Sequence, residues 1–290
     1  MSPVTSVQRD IALPHMRLRA QMWGATNAPP LLALHGWLDN AGSFARLAPL
    51  LARHWHLIAL DLPGHGHSDH LPPGMHYHFV DYVRSVLAAM DQLDLPRCVL
   101  LGHSLGAGIA SLVTAAAPQR VERLLLIEGL GPIGDDGHHT LRRFRDALTS
   151  SATGRSLRSF SSVEQAISAR TIASGLPAEQ ARPIVERGLQ QADDGWRWRS
   201  DARLNRPSPI RLAEDQIHAL LRGIESPTAL LLSRPDTPYL PGAQMQARAA
   251  CVPDITVSHM DGGHHLHLEH PHAVAAWIAT RVESTGSTLP

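Results

Sequence analysis

Ser104 stands in Gly102-His103-Ser104-Leu105-Gly106, between the apolar run Cys98-Val99-Leu100-Leu101 and the small-residue stretch that begins Ala107-Gly108-Ile109. That order reads as a buried strand, a sharp turn and a helix, the setting that a G-x-S-x-G nucleophile turn requires. The serine of such a turn is held in a strained backbone conformation, and side chains at the two glycine positions would collide as strand and helix pack. Its hydroxyl is presented at a helix N-terminus, where free N–H groups and the helix dipole favour developing negative charge. The implied chemistry is nucleophilic attack by the serine oxygen. The bland alternative is an inert serine in a glycine-rich turn.

Such an attack needs a base, a carboxylate to orient the base, and donors for the oxyanion. Six histidines crowd into 259–272. His264 directly follows Gly262-Gly263, whereas Glu269 and Pro271 open the last helix, so His264 falls in a loop able to reach the serine as general base. A metal site made of His265, His267 and Glu269 is the rival reading, and strand-like alternation would be needed to aim those three together. Two carboxylates close strands: Asp236, after the strand 228–232, and Glu128, at the end of the strand 121–127. Both satisfy the chain order serine, acid, histidine, and the residues leave the choice open. The oxyanion donors fall on the amide of Leu105 and on that of Trp37, in the loop His35-Gly36-Trp37-Leu38-Asp39-Asn40. His35 is expected to brace that loop rather than to do chemistry.

These residues must be carried by a regular frame. Residues 5–23 alternate loosely and suggest an antiparallel hairpin at a sheet edge. Short apolar strands follow at 31–34, 55–60, 98–101 and 121–127, alternating with helical spacing at 43–53 and 79–93 and after the serine. The alternation implies a parallel sheet covered on both faces, with functional groups at the carboxyl ends of its strands. It breaks near Gly129-Leu130-Gly131-Pro132. From 133 to 225 the chain is arginine-rich and mostly helical in pattern; Trp196 and Trp198 there are expected to pack rather than to bind. Strand and helix alternation then resumes at 228–232, 240–250, 254–258 and 272–283. The simplest division is an α/β core over 1–132 and 226–290, interrupted by a helical insertion over 133–225.

Several motifs together resemble the α/β-hydrolase superfamily. His35-Gly36-Trp37 resembles its oxyanion loop, Asp61-Leu62-Pro63-Gly64-His65-Gly66-His67-Ser68 its D-x-P-G-x-G-x-S turn, Gly102–Gly106 its elbow, and Gly263-His264 through Pro271 its histidine loop. Leu34-His35-Gly36-Trp37-Leu38-Asp39-Asn40 and Ile127-Glu128-Gly129-Leu130-Gly131-Pro132 look most like the serine hydrolase-like branch related to haloalkane dehalogenases. The resemblance implies an α/β-hydrolase fold, with a mostly parallel eight-stranded sheet, helices on both faces and a helical cap after the sixth strand. It implies a serine hydrolase cleaving a carboxylic ester or related acyl bond through an acyl-enzyme, carboxylesterase-like, with Ser104, His264 and Asp236 or Glu128 as its triad. Asp236 occupies the commoner family position and is preferred here. Dehalogenase relatives commonly attack with an aspartate where this chain has Ser104, which sets carbon–halogen chemistry aside. A thioesterase or carbon–carbon bond hydrolase with the same triad, or an inactive binding protein of this fold, are the alternatives.

The composition agrees with a small-molecule acyl substrate. Lys+Arg and Asp+Glu balance at 26 each in 290 residues, so no net field attracts nucleic acid or an anionic membrane. All the basic residues counted there are arginine. Cys98 and Cys251 give no disulfide framework. Met1–Asp10 lacks the basic-then-apolar pattern of a signal peptide. The nearly apolar stretch 98–117 is interrupted by glycines, serines and a histidine, which argues against a membrane span. The expectation is a cytoplasmic protein without stable membrane insertion and without a metal or organic cofactor. Nothing in the sequence sets an oligomeric state.

Overall fold

Strands that are apolar on both faces can be stable only inside a sheet with both faces covered, and this requirement organises the molecule. The computed structural model describes residues 5–149 and 159–282. Eight strands form one sheet: β1 (Val7–Ala12), β2 (Arg17–Trp23), β3 (Pro30–Leu34), β4 (His56–Asp61), β5 (Cys98–His103), β6 (Val121–Ile127), β9 (Thr228–Arg234) and β10 (Ile255–Asp261). Their spatial order is β1-β2-β4-β3-β5-β6-β9-β10. The pairs β1–β2 and β2–β4 are antiparallel, and all the others are parallel. The expected edge hairpin and mostly parallel sheet are therefore present.

Alternate residues of the central strands point to opposite faces. Leu32, Leu34, Leu100 and Leu126 pack into one apolar layer with α2 (Phe79–Gln92), α3 (Leu105–Ala116), α7 (Glu214–Leu221) and α8 (Gly242–Ala249). Leu31, Ala33, Leu101 and Ile127 pack into the other, with α1 (Ala48–Leu51) and α10 (Pro271–Val282). A short helix, α9 (Leu266–Glu269), precedes α10. The helical spacing of 43–53 yields less helix than expected. A 3-10 turn over Ala41–Phe44, capped by Asn40, is followed only by the single turn of α1, which carries a proline in its first positions.

Between β6 and β9 lie α4 (Thr140–Thr149), α5 (Val163–Ser174), α6 (Ala178–Gly188) and α7. Ser162 caps α5 by accepting from the Gln165 amide, and Gly175 ends it in the left-handed conformation. This stretch is less purely helical than its sequence suggests. An antiparallel pair, β7 (Leu189–Ala192) and β8 (Gly195–Trp198), forms a separate two-stranded sheet. Trp196 and Trp198 of β8 pack on a small apolar cluster of Phe160, Ala166, Ile167, Val185 and Leu189, with the Trp198 ring edge-on to Phe160 at 5.4 Å. The segment is fastened to the sheet by buried polar contacts. Arg187 forks onto Asp61 at 2.8–3.1 Å, Arg170 pairs with Asp39, and the Asn40 amide donates to the Ile184 carbonyl at 2.8 Å. Among the described residues no helix is long and apolar enough to cross a membrane.

Candidate active site

Ser104 joins β5 to α3 with φ 52° and ψ −114°, a conformation that costs a non-glycine residue about 1–3 kcal/mol. The neighbours explain how the turn is enforced. A side chain at Gly106 would collide with the Leu34 carbonyl, and one at Gly102 would strike the backbone of Gly106 and Ala107. The Ser104 amide donates to the Ile127 carbonyl at 3.0 Å, which ties the turn to the end of β6.

Leu105 is the first residue of α3, and its amide, like that of Trp37, donates to no described residue. The Trp37 indole N–H donates to the Leu204 carbonyl at 3.2 Å, although the side chain is 51% exposed. His35 sits beneath this loop: its Nδ1 lies 2.7 Å from the Gly36 carbonyl, and its Nε2 accepts from the Leu62 amide at 3.0 Å. A cavity of about 100 Å³ is lined in part by Trp37 and Leu105, together with Tyr77, Phe79, Arg203 and Arg206.

The structure treats the two candidate acids differently. Glu128 follows β6, is 2% exposed, and places Oε2 3.1 Å from His264 Nδ1. Its Oε1 accepts from the Ser233 amide at 2.5 Å, and Thr237 Oγ1 lies 3.5 Å from Oε2. At 3.1 Å from Glu128 Oε2, Nδ1 holds the proton of a neutral His264, and Nε2 is left with its lone pair. Asp236 is exposed on the loop after β9, and its Oδ2 accepts from the Gly242 amide at 2.9 Å, the first residue of α8. Geometry therefore brings Glu128 to His264 and leaves Asp236, the preferred candidate, at a helix N-terminus.

The rival trio does not converge either. Glu269 is occupied by the amides of Gly263 at 2.7 Å and His265 at 3.2 Å, and His267 Nε2 lies 2.7 Å from Ser43 Oγ.

Four residues around His264 carry no signature that spacing could reveal. His103, the variable second residue of the pentapeptide, places Nε2 2.8 Å from the His264 carbonyl and packs its ring 4.8 Å from the His264 ring. Burial and the neighbouring imidazoles push its pKa well down. Asp39 is buried beneath it. Burial alone would raise that carboxyl, but Arg170, followed by His265, holds it well below the usual carboxylate range. Arg170 reaches Asp39 from α5, far along the chain. Tyr239 stands edge-on to the His264 ring at 4.8 Å, with its hydroxyl pushed up to about 12 by burial and by the Glu128 carboxylate.

Comparison with known proteins places this geometry in a family context. A family model described as alpha/beta hydrolase fold matches residues 29–271. A serine hydrolase-like protein of Danio rerio is 31% identical over 278 residues, covering 92% of this chain and 85% of the relative. The crystal structure of a hypothetical protein from Pseudomonas aeruginosa superposes with a TM-score of 0.86 at 37% identity, covering 95% of this chain and 98% of the other. A haloalkane dehalogenase loop variant from Bradyrhizobium elkanii shares the fold at a TM-score of 0.70 and 22% identity, covering 97% and 99% of the two chains.

Proposed function

The chain belongs to the α/β-hydrolase fold family, within its serine hydrolase-like members, and from that premise we propose that it cleaves a carboxylic ester or related acyl bond through Ser104. Ser104 Oγ attacks the substrate carbonyl, and His264 Nε2 takes its proton and returns it to the leaving group. Glu128 holds the imidazole in the required tautomer and stabilises the imidazolium formed during attack. The Leu105 and Trp37 amides receive the tetrahedral oxyanion. Water repeats the sequence on the acyl-enzyme. The observations that carry this reading are the pairing of half-buried His264 with buried Glu128 and the strained Ser104 at the N-terminus of α3.

The segment 133–225 acts in this reading as a cap over the site. Support comes from the cavity beside Trp37 and Leu105, which that segment helps to line through Leu204 and Pro207. Its size suits a small acyl group, and its walls mix aromatic rings with the Arg203 and Arg206 side chains. A panel of p-nitrophenyl esters of increasing acyl length tests both parts. Turnover should be highest for short chains, fall as the chain outgrows the cavity, and vanish in Ser104→Ala. Turnover that survives Ser104→Ala defeats the assignment.

A further inference from the structure

Behind Ser104 and His264 lies a second cluster that the proposed chemistry does not use. Asp39 comes from the loop after β3, His103 from the end of β5, and His265 from the loop before α9. All three are buried, and one ligand atom from each lies within 4.8 Å of the other two. His265 Nε2 is 3.4 Å from Asp39 Oδ2, and His103 Nδ1 is 3.9 Å from the same oxygen.

The hydrogen bonding of His103 makes this more than proximity. Its Nε2 lies 2.8 Å from the His264 carbonyl, an acceptor, and so carries a proton. Nδ1 is the ring's other nitrogen. It is wholly buried, finds no partner among the described residues, and faces a carboxylate oxygen that is also an acceptor. An unpartnered ring nitrogen and a carboxylate oxygen share one buried space there, and a cation between them would satisfy both at once. The space itself is kept open by Gly36, because a Cβ there would lie 2.9 Å from His103 Nδ1 and 3.3 Å from Asp39 Oδ2.

We propose that Asp39 Oδ2, His103 Nδ1 and His265 Nε2 bind one divalent transition-metal ion of the zinc class, and that the bound ion inhibits the hydrolase. Two imidazoles and one carboxylate suit zinc, copper or nickel rather than magnesium or calcium, and three protein ligands leave a fourth position for water. Two of the three ligands are also held by further contacts. Arg170 engages the other Asp39 oxygen, Ser43 Oγ lies 3.5 Å from Oδ2, and the His264 carbonyl fixes the His103 tautomer. Ligand atoms in a tetrahedral zinc site sit roughly 3.3 Å apart, so binding draws His103 and His265 together around Asp39. Their chain neighbours are Ser104 and His264. An ion that pins both histidines therefore immobilises the nucleophile turn and the base loop at once. The inhibitory half rests on the proposed roles of Ser104 and His264; the binding half does not.

The test uses the chelator-treated full chain. Cobalt(II) should be taken up at one ion per chain with the visible bands of a low-coordinate site, and one equivalent of zinc should displace it. His265→Gln and Asp39→Asn should each weaken zinc binding by about a hundredfold or more. Replacing the exposed pair His138 and His139 with alanine should leave binding unchanged, which separates this site from adventitious binding by surface histidines. Circular dichroism checks folding, and if Asp39→Asn does not fold, His265→Gln decides. Zinc should lower wild-type ester turnover and have little effect on His265→Gln relative to that variant's own metal-free rate. Binding unaltered by His265→Gln, or lost with His138 and His139, overturns the site. Binding at the site without any loss of turnover overturns the inhibition. Binding at the site by a chain that hydrolyses no ester leaves the metal site standing and sinks the hydrolase reading.

Discussion

Strands β6 and β9 are parallel neighbours, and each is followed by a carboxylate, yet the two ends have opposite fates. Glu128 leaves β6 at φ 53°, turns inward and is buried against the Ser233 amide and His264. Asp236 lies beyond the end of β9, on the surface, and caps α8 through Gly242. A buried carboxylate must have assigned partners because an unpaired one is costly, whereas an exposed one is solvated wherever it points. The difference teaches that burial and facing partners, rather than place in the chain order, decide which carboxylate stands against His264.

Four substitutions can break or sharpen this contrast. Glu128→Gln is nearly isosteric but removes the charge that supports the His264 imidazolium, so kcat for ester hydrolysis should fall about 10⁴-fold. The contrast between buried and exposed carboxylates extends to Asp61, which is fully buried under Arg187. Arg187→Ala leaves that charge without its guanidinium and should cost about 3–5 kcal/mol in urea unfolding. Glu128→Asp keeps the charge but draws it back by about one bond, and a misplacement of that size should cost roughly 10²-fold in kcat. Asp236→Asn should leave kcat near the wild-type value and lower stability by only about 0.5 kcal/mol, the worth of a charge at an exposed helix N-terminus. If the Asp236 and Glu128 effects on kcat were reversed, the assignment of the acid would be reversed with them.

Much of this frame is legible in the sequence. Apolar runs such as Leu31–Leu34 and Val99–Leu101 can exist only in a sheet covered on both faces, and Gly102 and Gly106 mark a close strand–helix crossing by their lack of side chains. The frame failed to show where local pattern carries little information. Residues 43–53 have helical spacing, but Pro49 and the capped turn before it allow only one turn of α1. The pair β7–β8 is too short for its alternation to stand out from the helices around it.

The site divided in the same way. Ser104, His264, Trp37 and Leu105 sit in motifs whose spacing follows from chain geometry. The choice between Glu128 and Asp236 depends on which strand end the loop of His264 crosses, which is a tertiary fact. Asp39 and His103 were invisible as a cluster because their partners, Arg170 and His265, are distant in sequence. The crowding of histidines over 259–272 made the choice of base matter, and nothing in their spacing joined His103 to His265.

The central claim is that Ser104 is a nucleophile activated by this constellation. Intact-mass analysis after treatment with a fluorophosphonate probe tests it most directly. The wild-type chain should gain one probe adduct per molecule, mapped to the peptide containing Ser104, and folded Ser104→Ala should gain none. An adduct that persists in Ser104→Ala, or a wild-type chain that hydrolyses esters while Ser104 stays unlabelled, would contradict the account.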